Sequence, residues 1–117
     1  MYYHVWFVTK YRKSSLAGVI DQLVKEIFTE CMQRHSYKVL EFETNMDHVH
    51  MMVEVDKVTD LSGIIRTLKA VSAKEILQTQ PFAMRNIRHF WGRRYGFREI
   101  GIAEIEHIRR YIRNQKA

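Results

Sequence analysis

Apolar side chains recur at every second position in the segment Asp47-His48-Val49-His50-Met51-Met52-Val53-Glu54-Val55. This is the period-two pattern of a half-buried β-strand. Because successive side chains of a strand point to opposite faces of its sheet, the odd-numbered positions from Val49 to Val55 are predicted to build the core. His48 and His50 then share the other face, close enough for both imidazole rings to bind one divalent metal ion. The same pattern also fits two polar residues on the solvent side of a sheet.

The segments on either side of this strand predict an alternation of strands and helices. The predicted elements are a strand at 2–9, a helix at 16–34, strands at 37–43 and 48–55, a helix capped by Asp60 and ending near Gln80-Pro81, a short strand at 97–100 between Gly96 and Gly101, and a helix at 103–115. In the second helix, Arg66, Lys69 and Lys74 are predicted to face solvent. The order predicts an α+β fold, in which a ferredoxin-like antiparallel sheet carries helices on one face and an added C-terminal helix.

Length and composition favour one ordered domain. A chain of 117 residues with 46% hydrophobic residues fits a single unit, with residues 1–101 as the ferredoxin-like core and 103–117 as the terminal helix. No apolar run approaches the roughly 20 residues that span a bilayer, and the first residues lack a signal peptide, so we expect no membrane partner. The single cysteine, Cys31, lies on the apolar stripe of a predicted helix, which favours a buried thiol in a reducing cytoplasm.

The positive charge of the chain is concentrated near its C-terminus. Residues 1–84 contain ten Lys or Arg and ten Asp or Glu, whereas residues 85–117 contain nine basic and three acidic residues. The whole excess of +6 therefore lies in the last 33 residues. A polyanion is the natural partner of such a segment, because binding to phosphates releases condensed counterions.

Aromatic residues and arginines interleave between residues 82 and 98. This composition suits single-stranded or hairpin nucleic acid, since bases stack on rings and guanidinium groups hold phosphates. Alternatively, the rings are core and the arginines a solvated face. Together with the basic turn after the first strand, the candidate DNA-binding residues are Lys10, Arg12, Arg85, Arg88, Trp91, Arg93, Arg94 and Tyr95.

Tyr111 and Gln115 are separated by four residues on the last predicted helix, so they share one stripe beside its apolar face. They could jointly face an active site. Packing at the border between helix and sheet is the more ordinary role of such a tyrosine.

Over nearly its whole length, the chain resembles the single-tyrosine HUH transposases of small bacterial and archaeal insertion sequences. The resemblance rests on four short motifs in the right order: Tyr3-His4-Val5-Trp6 with Lys10-Tyr11-Arg12, Asp47-His48-Val49-His50, Phe90-Trp91 with Tyr95, and Tyr111-Ile112-Arg113-Asn114-Gln115.

The resemblance implies a role for each part of a composite site. His48, His50 and Gln115 would bind Mg²⁺ or Mn²⁺, and Tyr111 would be the nucleophile that forms a 5′-phosphotyrosine link to single-stranded DNA and leaves a free 3′-hydroxyl. It also implies recognition of hairpins near the ends of the element by a homodimer, in which the tyrosine helix can serve the partner's histidines. A phenol with a pKa near 10 suits this chemistry, because it is a reasonable leaving group when the strand is resealed.

Three other functions remain open from the sequence. A repeat-associated or domesticated tyrosine transposase would share the chemistry and process dispersed genomic hairpins. A non-catalytic ferredoxin-like module would bind single-stranded or hairpin nucleic acid through the basic aromatic segment alone. A mononuclear metal hydrolase would need further ligands, which Asp47, Glu54 or His4 could supply in space.

Overall fold

The computed structural model describes residues 1–80 and 89–116. Its main elements are β1 (Tyr2–Thr9), α1 (Gly18–His35), β2 (Lys38–Asn45), β3 (His48–Glu54), α2 (Asp60–Thr79), β4 (Trp91–Ile100) and α3 (Ile105–Arg113). Short 3₁₀ turns follow β1, precede α3 and follow α3. The order of strands and helices is the predicted one.

The four strands form one antiparallel sheet with the spatial order β2-β3-β1-β4. In the register of this sheet, Trp6 of β1 lies opposite His50 of β3 on one side and opposite Gly96 of β4 on the other. The central strands β3 and β1 therefore bring the histidine motif and the N-terminal motif side by side. The ferredoxin-like α+β fold predicted from the sequence is confirmed.

The main core lies between the sheet and the helices α1 and α2. Val49, Met51 and Val53 are fully buried in it, as the period of β3 predicts, and Cys31 is buried beside them. A second, smaller apolar cluster lies on the opposite face of the sheet, under α3. Its buried members are Met52, Ile100, Ile108 and Ile112. Since Met52 and Val53 are neighbours in β3, the two clusters occupy opposite faces of the same strand.

Two boundary predictions are wrong. The last strand begins at Trp91, six residues before the predicted start, and Gly96 lies inside it. Pairing with β1 holds this stretch in the sheet, although its two glycines, Gly92 and Gly96, weaken its strand propensity. Asp60 is the first residue of α2 and not its cap: the cap position is Thr59, and no side chain there bonds to the helix.

The expected solvent exposure of Lys69 is also wrong. Its ammonium group is half-buried and donates hydrogen bonds to the carbonyl oxygens of Gly92 (2.8 Å) and Arg94 (3.0 Å). The ammonium nitrogen lies 5.1 Å from the centroid of the Phe7 ring. Burial lowers the pKa of Lys69. This side chain therefore ties α2 to β4 and β1.

In the residues that the structure describes, no helix combines the length and apolar character that crossing a membrane requires.

Candidate active site

Three histidines meet on the face of the sheet that α3 partly covers. His48 and His50 come from β3, with ring centroids 5.0 Å apart, and His4 comes from the neighbouring strand β1. His4 Nε2 lies 2.9 Å from His50 Nδ1, a hydrogen bond whose donor depends on the tautomer of each ring. The strand period thus places both predicted histidines on one face, and the sheet register adds His4.

A carboxylate fixes the orientation of the His48 ring. Asp47 Oδ1 lies 2.8 Å from His48 Nδ1, and Asp47 Oδ2 accepts a hydrogen bond from Arg12 Nε at 3.0 Å. The hydrogen bond to His48, followed by the bond to Arg12, lowers the pKa of Asp47 against the opposing effect of burial. An ionised Asp47 leaves His48 Nε2 as the ring nitrogen available to another partner.

Burial keeps the inner two imidazoles uncharged at neutral pH. Burial, followed by the nearby His4 and His48, lowers the pKa of His50 to about 4. Burial and the positive charge of Arg98 lower the pKa of His4. Neutral imidazole is the form that binds metals, so His50 is ready to act as a ligand without losing a proton.

Apolar packing and polar contacts with β2 hold α3 over this face. Ile108 and Ile112 are buried beneath the helix. Arg113 pairs with Glu41 of β2 through Nε–Oε1 at 3.2 Å, and the Asn45 side-chain amide donates to the Gln115 carbonyl oxygen at 2.8 Å. The C-terminal turn is thereby fixed against the end of the strand that leads into the histidine motif.

This docking places Tyr111 directly beside the histidines of its own chain. The centroid of its ring lies 5.8 Å from those of both His4 and His50, and each pair of rings meets edge to face. The side chain is 48% exposed. Its ring is therefore positioned by the cluster and still open to a ligand.

In the described part of the chain, His48 and His50 are the two predicted ligands that could hold a metal ion. His48 and His50 each use Nδ1 in a contact with a neighbouring side chain, which leaves Nε2 for a cation. In residues 1–80 and 89–116, no group of three or more His, Cys, Asp or Glu side chains is arranged to hold a metal ion. A third protein ligand would have to be of another type, which fits an amide oxygen. The Gln115 amide lies one turn from Tyr111 and donates through Nε2 to the Tyr111 carbonyl oxygen at 3.3 Å.

The predicted DNA-binding residues have different placements. Arg93 and Arg94 are exposed on β4, Tyr95 is partly buried, and Lys10 and Arg12 lie in the 3₁₀ turn beside Asp47. Trp91 belongs to the main core: it is 6% exposed, and its indole N–H donates to the Ser72 hydroxyl at 2.8 Å. Its ring is therefore not available for stacking on a base. Arg85 and Arg88 lie outside the described residues.

The sequence indicates a ligand role for His4 and Asp47 only in the hydrolase alternative. A signal for His4 was present, because it is the one residue of the first strand that is not a strand-favouring type. What the sequence lacked was the pairing of β1 with β3, which brings His4 to His50 across 46 residues.

Comparison with known proteins identifies the family of the chain. Residues 1–115 match the family described as "Transposase IS200 like". The chain belongs to the IS200-like transposase family. Membership in this family associates the chain with DNA transposition. The cluster of histidines and Tyr111 lies between the sheet and the added helix α3.

Two transposases resemble this IS200-like chain in sequence. The transposase for insertion sequence element IS200 of Salmonella typhimurium is 29% identical over 116 residues, which cover 97% of this chain and 75% of that protein. The ISDra2 transposase TnpA of Deinococcus radiodurans is 23% identical over 115 residues, covering 97% and 82% of the two chains.

Two solved structures share the fold of this IS200-like transposase. A candidate transposase from Deinococcus radiodurans superposes with a TM-score of 0.75 at 21% identity and covers 98% of this chain and 90% of that one. A REP-associated tyrosine transposase bound to a REP hairpin gives a TM-score of 0.71 at 13% identity, covering 95% and 63%. At these identities the likeness concerns the fold alone.

Proposed function

We propose that this transposase cleaves and rejoins single-stranded DNA at the ends of an insertion sequence, with Tyr111 as the nucleophile. The phenolic oxygen of Tyr111 attacks phosphorus, and the bond from phosphorus to the 3′-oxygen breaks. The 5′-phosphate then remains on the tyrosine, and the other fragment ends in a 3′-hydroxyl. Attack by a 3′-hydroxyl reverses these changes and releases the tyrosine. The observation that carries the proposal is the position of the half-exposed Tyr111 ring against His4 and His50.

His48, His50 and Gln115 are the residues that would hold the divalent metal, Mg²⁺ or Mn²⁺. When bound, such an ion would neutralise charge on the scissile phosphate and orient it for in-line displacement. Two features of the chain favour metal binding at these histidines. Asp47 orients the ring of His48, and burial keeps His50 uncharged. The docking of α3 by Ile112 and Arg113 sets where the phenol lies.

Single-stranded DNA with a hairpin at the ends of the element is the proposed substrate. The relative bound to a REP hairpin supports a hairpin partner, as does the excess of basic residues after position 84. On the described part of the chain, the side chains proposed to contact DNA are Lys10, Arg12, Arg93, Arg94 and Tyr95.

A covalent adduct is the decisive test. An oligonucleotide spanning the element's own end, labelled at its 3′ terminus, is incubated with the protein and Mg²⁺ or Mn²⁺ and resolved on a denaturing gel. The label is expected to move with the protein, because the tyrosine holds the 5′ end of the labelled fragment. A 5′ label is expected to be released on a shortened strand.

Two variants with matched chemistry locate the nucleophile. Tyr111→Phe removes one oxygen atom and is expected to abolish the adduct, whereas Tyr11→Phe removes the same atom from a tyrosine that is 83% exposed and is expected to retain it. An adduct formed equally well by Tyr111→Phe contradicts the proposal. Hairpin binding that survives a chelator and never yields an adduct would instead favour the non-catalytic binding module.

A homodimer remains part of the proposal, and the geometry favours a tyrosine that serves its own chain. A Tyr111→Phe chain is mixed with a chain carrying His48→Ala and His50→Ala. Each is expected to be inactive alone, and their mixture is expected to stay inactive if the tyrosine acts within its own chain. Restored adduct formation would assign the tyrosine helix to the partner's site.

A further inference from the structure

Trp6 is a large aromatic residue that the proposed chemistry does not use. It lies on the same face of the sheet as His4 and His50 and is 36% exposed. The His4 ring connects it to the nucleophile: the centroid of that ring lies 5.0 Å from the Trp6 ring and 5.8 Å from the Tyr111 ring. An indole surface is thus open to solvent one side chain away from the reacting tyrosine.

The indole ring of Trp6 packs against the backbone at Gly96. Trp6 and Gly96 are paired across β1 and β4, and a Cβ atom at position 96 would overlap the indole ring. Gly96 has no positive φ that would require glycine. The space taken by Trp6 is therefore the reason that a side chain is excluded there. One surface of the ring packs on backbone, and part of the remainder stays exposed.

Two arginines of β4 neighbour Gly96. Arg98 is paired with His4 across β1 and β4 and therefore shares the face of Gly96, and Arg94 lies two residues before Gly96 in the strand. Both are exposed. An aromatic surface with guanidinium groups nearby matches single-stranded DNA, in which a base stacks on the ring while phosphates contact the cations.

We propose that Trp6 is a stacking platform for a DNA base that neighbours the phosphodiester attacked by Tyr111. The proposal rests on the strand-transfer function proposed above and adds a protein contact to a base beside the cleavage point. Gly96 acts as a positioning residue, because it leaves the space that the indole occupies beside β4.

The fluorescence of the protein reports this contact directly. The chain has two tryptophans, and Trp91 is buried in the main core. Tyr111→Phe protein is titrated with the oligonucleotide spanning the element's end. Stacking is expected to quench the emission of Trp6, and the quenching is expected to vanish in a chain that also carries Trp6→Phe. Saturated binding with unchanged emission, or no binding, overturns the proposal.

Removal of the ring gives the expected kinetic effect. Trp6→Leu is expected to slow adduct formation at subsaturating DNA by about 5- to 150-fold, the range given by one stacked base, and Trp6→Phe is expected to recover most of the rate. Phe97→Leu removes a 48% exposed ring from the opposite face of the sheet and serves as the matched control. Circular dichroism melting of each variant checks that it is folded.

Abasic substitutions locate the stacked base. With the wild-type chain, loss of one base next to the cleavage point is expected to slow the reaction as much as Trp6→Leu does. With Trp6→Leu, the same substitution is expected to cost nothing further. A Trp6→Leu effect that is equal on every abasic substrate overturns the proposal, because it would show a structural role for the ring.

Gly96→Ala tests whether the position of the Trp6 ring depends on the absence of a side chain at residue 96. The added methyl group is expected to displace the indole and slow the reaction in the wild-type background, with no additional effect when Trp6→Leu is present. Independent, multiplying effects of the two substitutions overturn the assigned role of Gly96. If the wild-type chain forms no adduct, the strand-transfer function fails, while the fluorescence titration still decides whether a base stacks on Trp6.

Discussion

Burial and the proximity of other imidazole rings both oppose protonation of His50. His50 lies against His4 and near His48, so a proton on His50 would be poorly solvated and close to two other titratable rings. Protonation of His50 is expected to lower the free energy of unfolding when the pH falls. His50 is therefore most stable in the neutral form that the proposed metal site needs.

Stability is expected to rise with pH across the titration of His50. Its pKa is about 4 in the folded chain and 6.5 ordinarily, so between these values the unfolded chain binds more protons. The contribution of His50 is complete above its unfolded pKa and is lost as the pH falls toward its folded pKa. From pH 7 to pH 5 the unfolding free energy is expected to fall by at most about 2 kcal/mol.

Urea denaturation in the presence of a chelator measures this effect. His50→Gln is expected to show a shallower dependence of unfolding free energy on pH over the same range. Part of the slope is expected to remain, since burial and Arg98 also lower the pKa of His4. An unchanged slope in His50→Gln would contradict the assignment of the titration to His50.

Asp47 is expected to tune the metal affinity of His48. Asp47→Asn removes the charge that orients the ring, and loss of such a partner typically weakens metal binding by about 10- to 100-fold. Calorimetric titration of Tyr111→Phe protein with Mn²⁺ measures this. Arg12→Gln leaves the carboxylate in place and is expected to have a smaller effect; equal effects of the two changes would argue against a role for the Asp47 charge.

For single residues, the sequence predicts which side chains share a face wherever that follows from the alternation within one strand. The alternation of β3 predicted the common face of His48 and His50 because it depends only on neighbours in the chain. His4 and Gly96 owe their roles to partners on other strands, Gly96 to the indole of Trp6 across the sheet. Nothing in the sequence near position 96 specifies that contact.

The element most important for the proposed function is α3, because it carries Tyr111. Its buried apolar residues are Ile108 and Ile112, against Met52 and Ile100 of the sheet. Ionic contacts with Glu41 are partly solvated, and such pairs contribute about 0–1 kcal/mol. The packing of Ile108 and Ile112 is therefore expected to contribute more to the position of Tyr111 than these ion pairs do.

Ile112→Ala is expected to release α3. Ile112 is fully buried, and removal of such a side chain costs about 2–5 kcal/mol. Trypsin cleavage after the arginines of α3 is expected to accelerate at least about tenfold, with a parallel loss of adduct formation. Ile102→Ala, which truncates an 83% exposed side chain, is the control. Glu41→Gln is expected to change the rates less than Ile112→Ala; the reverse order would show that the ion pairs dominate.

The existence and order of the elements were predictable, and some of their limits were not. The apolar stripe of α3 identified the helix because it repeats locally. The start of β4 could not be found in the same way, since Arg93 and Arg94 favour no strand and are held in one by pairing with β1. The half-buried position of Lys69 likewise depends on carbonyl groups of β4.

The fold groups the basic residues of the C-terminal segment on β4 and α3. The sheet presents Arg93, Arg94 and Arg98 on one edge strand, and the C-terminal helix adds Arg110 and Arg113. These residues come from the segment that contains all of the excess charge. The sequence could predict a polyanionic partner from this distribution, but the grouping on β4 follows from the fold.

DNA binding is expected to weaken steeply with salt, and the slope counts phosphate contacts. Fluorescence anisotropy over a series of KCl concentrations gives the slope of log K against log salt. Arg94→Gln is expected to reduce its magnitude by about 0.7, the value for one phosphate on a single strand. Arg34→Gln removes the same charge from α1, where Arg34 pairs with Glu30, and is expected to leave the slope unchanged. An equal change in both variants would indicate a general effect of net charge.

Because the two apolar clusters are separate, α3 is expected to open at a lower free energy than the main core. Opening of α3 exposes four buried side chains, whereas opening of β1 or β3 disrupts the main core on the other face. Amide hydrogens of α3 should therefore exchange through a sub-global opening that leaves the sheet intact. A DNA end joined to Tyr111 would be tethered to this detachable unit, so the covalent intermediate could change its place while the three histidines keep theirs.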